Sequence, residues 1–124
     1  MGMLLVYDTK TRNVERFVHK LRGFRLQKIH EQLQVREPFI LVTYTTGFGQ
    51  VPETTRTFLQ QNHRHIIGVA VSGNRVWGSH FGKSGDAISR EYQVPLIHKF
   101  ELAGTKKDVE IFQQGVYEIV KQSS

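Results

Sequence analysis

The sequence contains no cysteine. That excludes disulfides, thiolate nucleophiles, Cys-ligated zinc and iron–sulfur clusters, and it fits a reducing compartment. Acid is also scarce: 11 Asp and Glu face 17 Lys and Arg, for a formal net charge of +6. No apolar run approaches the roughly 18 residues that a membrane-spanning helix needs, and the N-terminal stretch has no signal-peptide cleavage pattern. Val6 stands where a myristoylation motif has Ser or Thr. These absences lead to the expectation of a cytoplasmic protein with no membrane partner.

What is present suffices for one domain. A chain of 124 residues, 39% hydrophobic and 23% charged, fits a single domain over residues 1–124, able to bury roughly two-thirds of its surface. The positive charge is concentrated. Eight bases between Lys10 and Arg36 (Lys10, Arg12, Arg16, Lys20, Arg22, Arg25, Lys28, Arg36) stand against Glu15 and Glu31, while the rest of the chain balances nine against nine. Such a face attracts nucleic acid, an acidic protein or an anionic small molecule, or is simply solvated. Only Phe17 and Phe24 interleave with these bases, so nucleic acid ranks last and the expectation is a protein that binds none.

Short apolar runs alternate with longer amphipathic ones. Met3–Tyr7 (MLLVY), Phe39–Tyr44 (FILVTY) and Ile66–Ser72 (IIGVAVS) read as strands buried on both faces. Arg25–Ile29 and Pro95–Phe100 read as weaker strands. Helices are predicted over Asn13–Leu21, from Pro52 to about Gln61, over Asp86–Tyr92 and over Asp108–Lys121. The order β-α-β-β-α-β-α-β-α points to a doubly wound α/β protein with a parallel sheet. Ligands of such folds bind beyond the carboxyl ends of the strands, where strand order reverses.

The loops after the strong strands are therefore the places to look. Asp8-Thr9-Lys10-Thr11-Arg12-Asn13 puts hydroxyls and an amide beside a helix start, which suits a phosphate monoester or simple N-capping by Thr9, Thr11 or Asn13. Thr43-Tyr44-Thr45-Thr46-Gly47-Phe48-Gly49 carries no charge. Its glycines let backbone approach a flat ligand or flip a peptide, or merely satisfy a loop that needs positive φ. Ser72-Gly73-Asn74-Arg75-Val76-Trp77-Gly78 holds the only tryptophan, placed to stack on a planar ring or to join the core. In the weakest candidate, Leu102–Lys107, Thr105 or Asp108 can cap the closing helix.

Other chemistries lack their residues. The first strand is not followed by G-x-G-x-x-G, and the chain has no P-loop and no G-x-S-x-G elbow. Asp8 has Lys10 and Arg12 beside it instead of a second carboxylate. His63 and His65 lie in a polar run without acidic partners and read as surface histidines.

At these loops the sequence closely resembles the NrdI family, small flavodoxin-like proteins that serve class Ib ribonucleotide reductase. The resemblance rests on YDTKTRNV, Thr43–Pro52 (TYTTGFGQVP), Ser72–Gly78 (SGNRVWG) and Phe100–Val109 (FELAGTKKDV), and runs from about Leu4 to Val120. Two positions depart from it. Arg12 stands where many such phosphate loops have glycine, and Val76 where many relatives have asparagine.

The resemblance implies a flavodoxin-like fold, a doubly wound parallel five-stranded sheet of order 2-1-3-4-5 in three layers, with one non-covalent FMN. The phosphate would sit on Thr9, Thr11 and Asn13, with Lys10 and Val14 beside it. The ring would lie between the backbone of Thr45, Thr46, Gly47 and Phe48, flanked by Tyr44 and Gly49, and the loop of Ser72, Gly73, Asn74, Trp77 and Gly78. Gly104 completes the implied set, with no catalytic residue and no metal ligand. The implied partners are O₂, a reductase or other electron donor, and the dimanganese small subunit of class Ib ribonucleotide reductase, which receives superoxide or a related oxidant for tyrosyl-radical assembly. A general electron-transfer flavodoxin is the alternative. The neutral-to-basic loops would favour the anionic reduced flavin.

Overall fold

The computed structural model describes residues 2–123. Five strands, β1 (Met3–Tyr7), β2 (Phe24–Lys28), β3 (Phe39–Tyr44), β4 (Ile66–Gly73) and β5 (Leu96–Glu101), form one sheet of order β2-β1-β3-β4-β5. Every pairing is parallel. This is the order that the resemblance implied.

Four helices cover the sheet: α1 (Asn13–Val18), α2 (Glu53–Asn62), α3 (Lys83–Tyr92) and α4 (Lys106–Ser123). Side chains alternate across each strand, so one strand feeds two cores. Leu5, Tyr7, Ile40, Val42 and Ala70 pack with Val14 and Phe17 of α1 and Phe112 and Val116 of α4. Val6, Phe39, Leu41, Val69 and Val71 pack on the opposite face with Phe58 and Leu59 of α2 and Ile88 of α3. Burial on both faces explains why β1, β3 and β4 read as continuous apolar runs. The edge strand β2 keeps Arg25, Leu26 and Lys28 exposed, which is why its pattern is weak.

Some boundaries move. Helix α1 stops at Val18, because Lys20 and Leu21 donate to the carbonyls of Phe17 and Val18, three residues back, and close tighter turns. Helix α3 starts at Lys83 and α4 at Lys106, each earlier than the periodicity predicts. The stretch after β4, expected as a loop, is 3₁₀-helical over Arg75–His80, with a kink at Gly78. Because all the strands run parallel, the turns after β1, β3, β4 and β5 meet at one edge of the sheet. β1 lies between β2 and β3, so the chain's direction of winding reverses there, at the place where such sheets hold ligands.

Candidate functional site

A cleft of about 180 Å³ opens at this edge. Thr9, Lys10, Thr11, Asn13 and Val14 line it from the β1–α1 turn, and Tyr44, Thr45, Thr46 and Gly47 from the end of β3. Ser72, Gly73, Asn74 and Trp77 line it from the end of β4. Phe48, Gly49, Gly78 and Gly104 fall outside the lining, while His80, Gly82 and Leu102, which no motif singled out, are part of it. Two other hollows are larger, about 300 and 310 Å³, so size does not identify the site. Its polar atoms do.

Arg12 caps α1 in the left-handed conformation, at φ 71°, and no side chain caps the helix. The N-capping alternative for Thr9, Thr11 and Asn13 therefore fails. The Asn13 amide instead donates to the Thr11 hydroxyl at 3.3 Å. The Thr9 hydroxyl is buried and has no partner. Asp8 is buried too, yet it serves the scaffold. Its carboxylate accepts from the hydroxyls of Thr54 and Thr55, the latter at 2.7 Å. The cleft lining thus carries no carboxylate, and Lys10 is its one fixed cation. Burial, and then the charge of Asp8, push the Tyr44 phenol above its ordinary pKa, against a weaker pull from Thr54. Tyr44 is a neutral hydroxyl at physiological pH.

The loop after β3 closes on itself through paired backbone hydrogen bonds between Thr46 and Gln50, of 3.0 and 2.7 Å. Its tip is Gly47-Phe48-Gly49, with Gly47 at φ 56° and Phe48 71% exposed. Phe48 stands edge-on to Trp77, with ring centroids 6.0 Å apart, and to His80, 6.1 Å apart. Trp77 is 48% exposed, which rules out the core-packing alternative.

Several polar side chains that looked ligand-directed hold loops together. Ser72 donates to the Leu102 carbonyl at 2.6 Å, the Thr45 and Ser84 hydroxyls meet at 2.8 Å, and the Asn74 side chain accepts from the Val76 N–H. Thr105 and Asp108 bond reciprocally at the start of α4, a capping box. Gly104 sits at φ 72° over Phe17; a Cβ there would lie 2.7 Å from the Phe17 ring. Packing against Phe17 is one demand for glycine at this position. His80 Nδ1, like Thr9 Oγ1, is buried without a partner.

His63, away from the cleft, bonds the Leu59 carbonyl and stacks on Tyr92. Among the described residues, no cluster of His, Cys, Asp or Glu is arranged to hold a metal ion, and no helix is long and apolar enough to cross a membrane.

Unpaired polar atoms in an acid-free cleft with an aromatic wall fit a ligand with an anionic group and a flat ring. With the sheet order, they define a flavodoxin-like protein. The family described as NrdI flavodoxin-like matches residues 5–114, and the chain belongs to it. It is 53% identical over 120 residues to Protein NrdI of Bacillus licheniformis, covering 97% of this chain and 92% of that one. It is 44% identical to the SPbeta prophage-derived protein NrdI of Bacillus subtilis, covering 97% and 95%. Among solved structures, a short-chain flavodoxin associated with a bacterial microcompartment superposes with a TM-score of 0.77 at 21% identity, over 100% of this chain and 99% of that one. A mutant flavodoxin from Pseudomonas aeruginosa gives 0.54 at 14%, over 98% and 96%. Membership of the NrdI flavodoxin-like family supports a flavin cofactor.

Proposed function

We propose that this chain binds FMN in the cleft at the carboxyl edge of the sheet. In this reading the reduced protein supplies superoxide or a related oxidant to the dimanganese small subunit of a class Ib ribonucleotide reductase. The observation that carries the flavin reading is an acid-free cleft whose lining joins an orphaned Thr9 hydroxyl to the rings of Tyr44, Trp77 and His80. Bound there, FMN would supply one-electron redox chemistry and, once reduced, reactivity toward O₂.

The chain's own residues divide the remaining work. Thr9, Thr11 and Asn13 present donors for the phosphate, and Lys10 offsets its charge. Tyr44, kept neutral by burial and by Asp8, adds no negative charge near the ring. Trp77 lines the cleft with Phe48 edge-on to it, and both rings are exposed, which would leave a bound ring open to a small molecule such as O₂. Membership of the NrdI family supports a ribonucleotide reductase as the partner.

The test is an absorbance spectrum of the purified protein through anaerobic dithionite titration and re-aeration. Flavin bands that bleach and return within seconds in air support oxidant delivery. Slow return favours a general electron carrier, the reading suggested by the likeness to flavodoxins. Protein that takes up no FMN defeats both.

A further inference from the structure

His80 belongs to no motif, yet it lines the cleft and its Nδ1 is buried without a hydrogen-bond partner. A buried ring nitrogen left unpaired is costly, and because the folded chain covers this one with no partner, a modest turn of the His80 ring toward the cleft is what would let a bound ligand supply it. Neighbouring polar groups already have theirs. Asn74 caps the 3₁₀ turn, Ser72 holds Leu102, and Lys99 pairs with Asp86 at 2.6 Å. None is left over for His80 in the contacts they make.

Its position within the cleft narrows the choice of partner. The His80 ring stands edge-on to Phe48, and Phe48 edge-on to Trp77. Thr9 follows β1, whereas His80 belongs to the segment after β4, with β3 between the two strands. Two strand spacings separate β1 from β4, roughly 10 Å. The two orphaned atoms therefore come from turns on either side of β3: an oxygen from the turn that also carries Lys10 and Asn13, and a nitrogen whose ring meets Phe48.

We propose that His80 is a flavin-binding residue that hydrogen-bonds the heterocycle through Nδ1, while Thr9 serves the phosphate. The proposal rests on the FMN reading and assigns His80 to one part of that ligand. Flavin heterocycles carry carbonyl acceptors, ring-nitrogen acceptors and an N–H donor, so either tautomer of His80 finds a complement.

The experiment compares FMN with riboflavin, which lacks the phosphate, by flavin fluorescence quenching on the apo-protein. The chains are wild type, His80→Phe, His80→Asn and Thr9→Val. Phenylalanine keeps a ring against Phe48 and removes the nitrogen, while asparagine places a polar atom near the Nδ1 position. His80→Phe is expected to weaken both flavins about tenfold, equivalent to roughly 1.4 kcal/mol, and His80→Asn to recover most of that loss. Thr9→Val is expected to weaken FMN and leave riboflavin unchanged. Urea midpoints of the apo-proteins establish that each variant is folded.

A loss confined to FMN in His80→Phe, or riboflavin affinity within twofold of wild type, overturns the assignment of His80 while FMN binding stands. Wild-type protein that binds neither flavin overturns the FMN reading, and the assignment falls with it.

Discussion

Gly104 provides the sharpest test of the packing argument, because resemblance places it at the cofactor and the structure places it against Phe17. A Cβ on Gly104 would lie 2.7 and 3.1 Å from Phe17 ring atoms and 3.3 Å from Phe100. Those two rings are stacked with centroids 3.9 Å apart, and both are fully buried, so neither has room to retreat. Gly104→Ala must therefore carry two costs. A left-handed backbone costs an alanine about 1 kcal/mol once the lost freedom of the unfolded glycine is counted. Overpacking in a filled core adds about 1–3 kcal/mol.

Gly23 isolates the first cost, since it has φ 82° and nothing within 4 Å of its would-be Cβ. Gly23→Ala should lose about 1 kcal/mol and Gly104→Ala about 2–4 kcal/mol. The gap corresponds to roughly 4–12 °C in Tm for a chain of this size. Urea and thermal unfolding of the apo-proteins, followed by circular dichroism, measure it. FMN titration at a temperature where both variants are folded should give wild-type affinity. Equal destabilisation of the two variants, or lost affinity without lost stability in Gly104→Ala, refutes the packing role.

Three further outcomes are expected. Gly47→Val sets a β-branched side chain at φ 56°, with its Cβ 2.5 Å from Gln50 Oε1, and should obstruct the peptide flip between Gly47 and Phe48 that would accompany reduction. Its flavin potential should fall, and an unchanged potential by dithionite titration sinks the idea. Lys10→Gln removes the one fixed cation of the cleft lining, and should lower the potential by some tens of millivolts at low salt, less at high salt; a salt-independent shift contradicts a Coulombic origin. Burial raises the Asp108 carboxyl, but its bonds to His98 and to the Thr105 N–H and hydroxyl outweigh that and hold it below 3.8. A depressed folded-state pKa contributes stability that is present above the unfolded value and lost as pH falls through the folded one. The advantage of wild type over Asp108→Asn in urea unfolding should thus be full at pH 6 and shrink below about pH 4; an advantage that does not change down to pH 3 refutes it.

The strands were legible where both faces are buried, because β1, β3 and β4 then carry unbroken apolar runs. Less was legible at α3. Its first turn, Lys83-Ser84-Gly85, has no apolar periodicity, and the helix begins there because buried Ser84 bonds the Tyr44 carbonyl and the Thr45 hydroxyl across the sheet edge. Those partners are 39 and 40 residues away, and no local pattern announces them. His80 was invisible for a similar reason. Its neighbours in sequence give it no motif, and only the packing of the 3₁₀ turn sets it in the cleft wall.

The same limit governs which hydroxyls face a ligand. Thr9, Thr43, Thr45, Thr54, Thr55 and Ser72 are chemically alike and all lie on or beside the turns at this edge of the sheet. Thr54 and Thr55 bond Asp8, Thr43 bonds Thr55, and Thr45 and Ser72 tie loops together. Engaging Asp8 in this way also withdraws from the cleft the carboxylate that would repel an anionic ligand. Thr9 alone of the six is left without a partner. A hydroxyl made ready for a ligand is thus marked by what its neighbours have already bonded, a property of the folded contacts and not of residue type or spacing. On that criterion substitution of Thr9 should cost ligand affinity, whereas substitution of Thr55, buried on α2 and bonded to Asp8 and Thr43, should cost stability first.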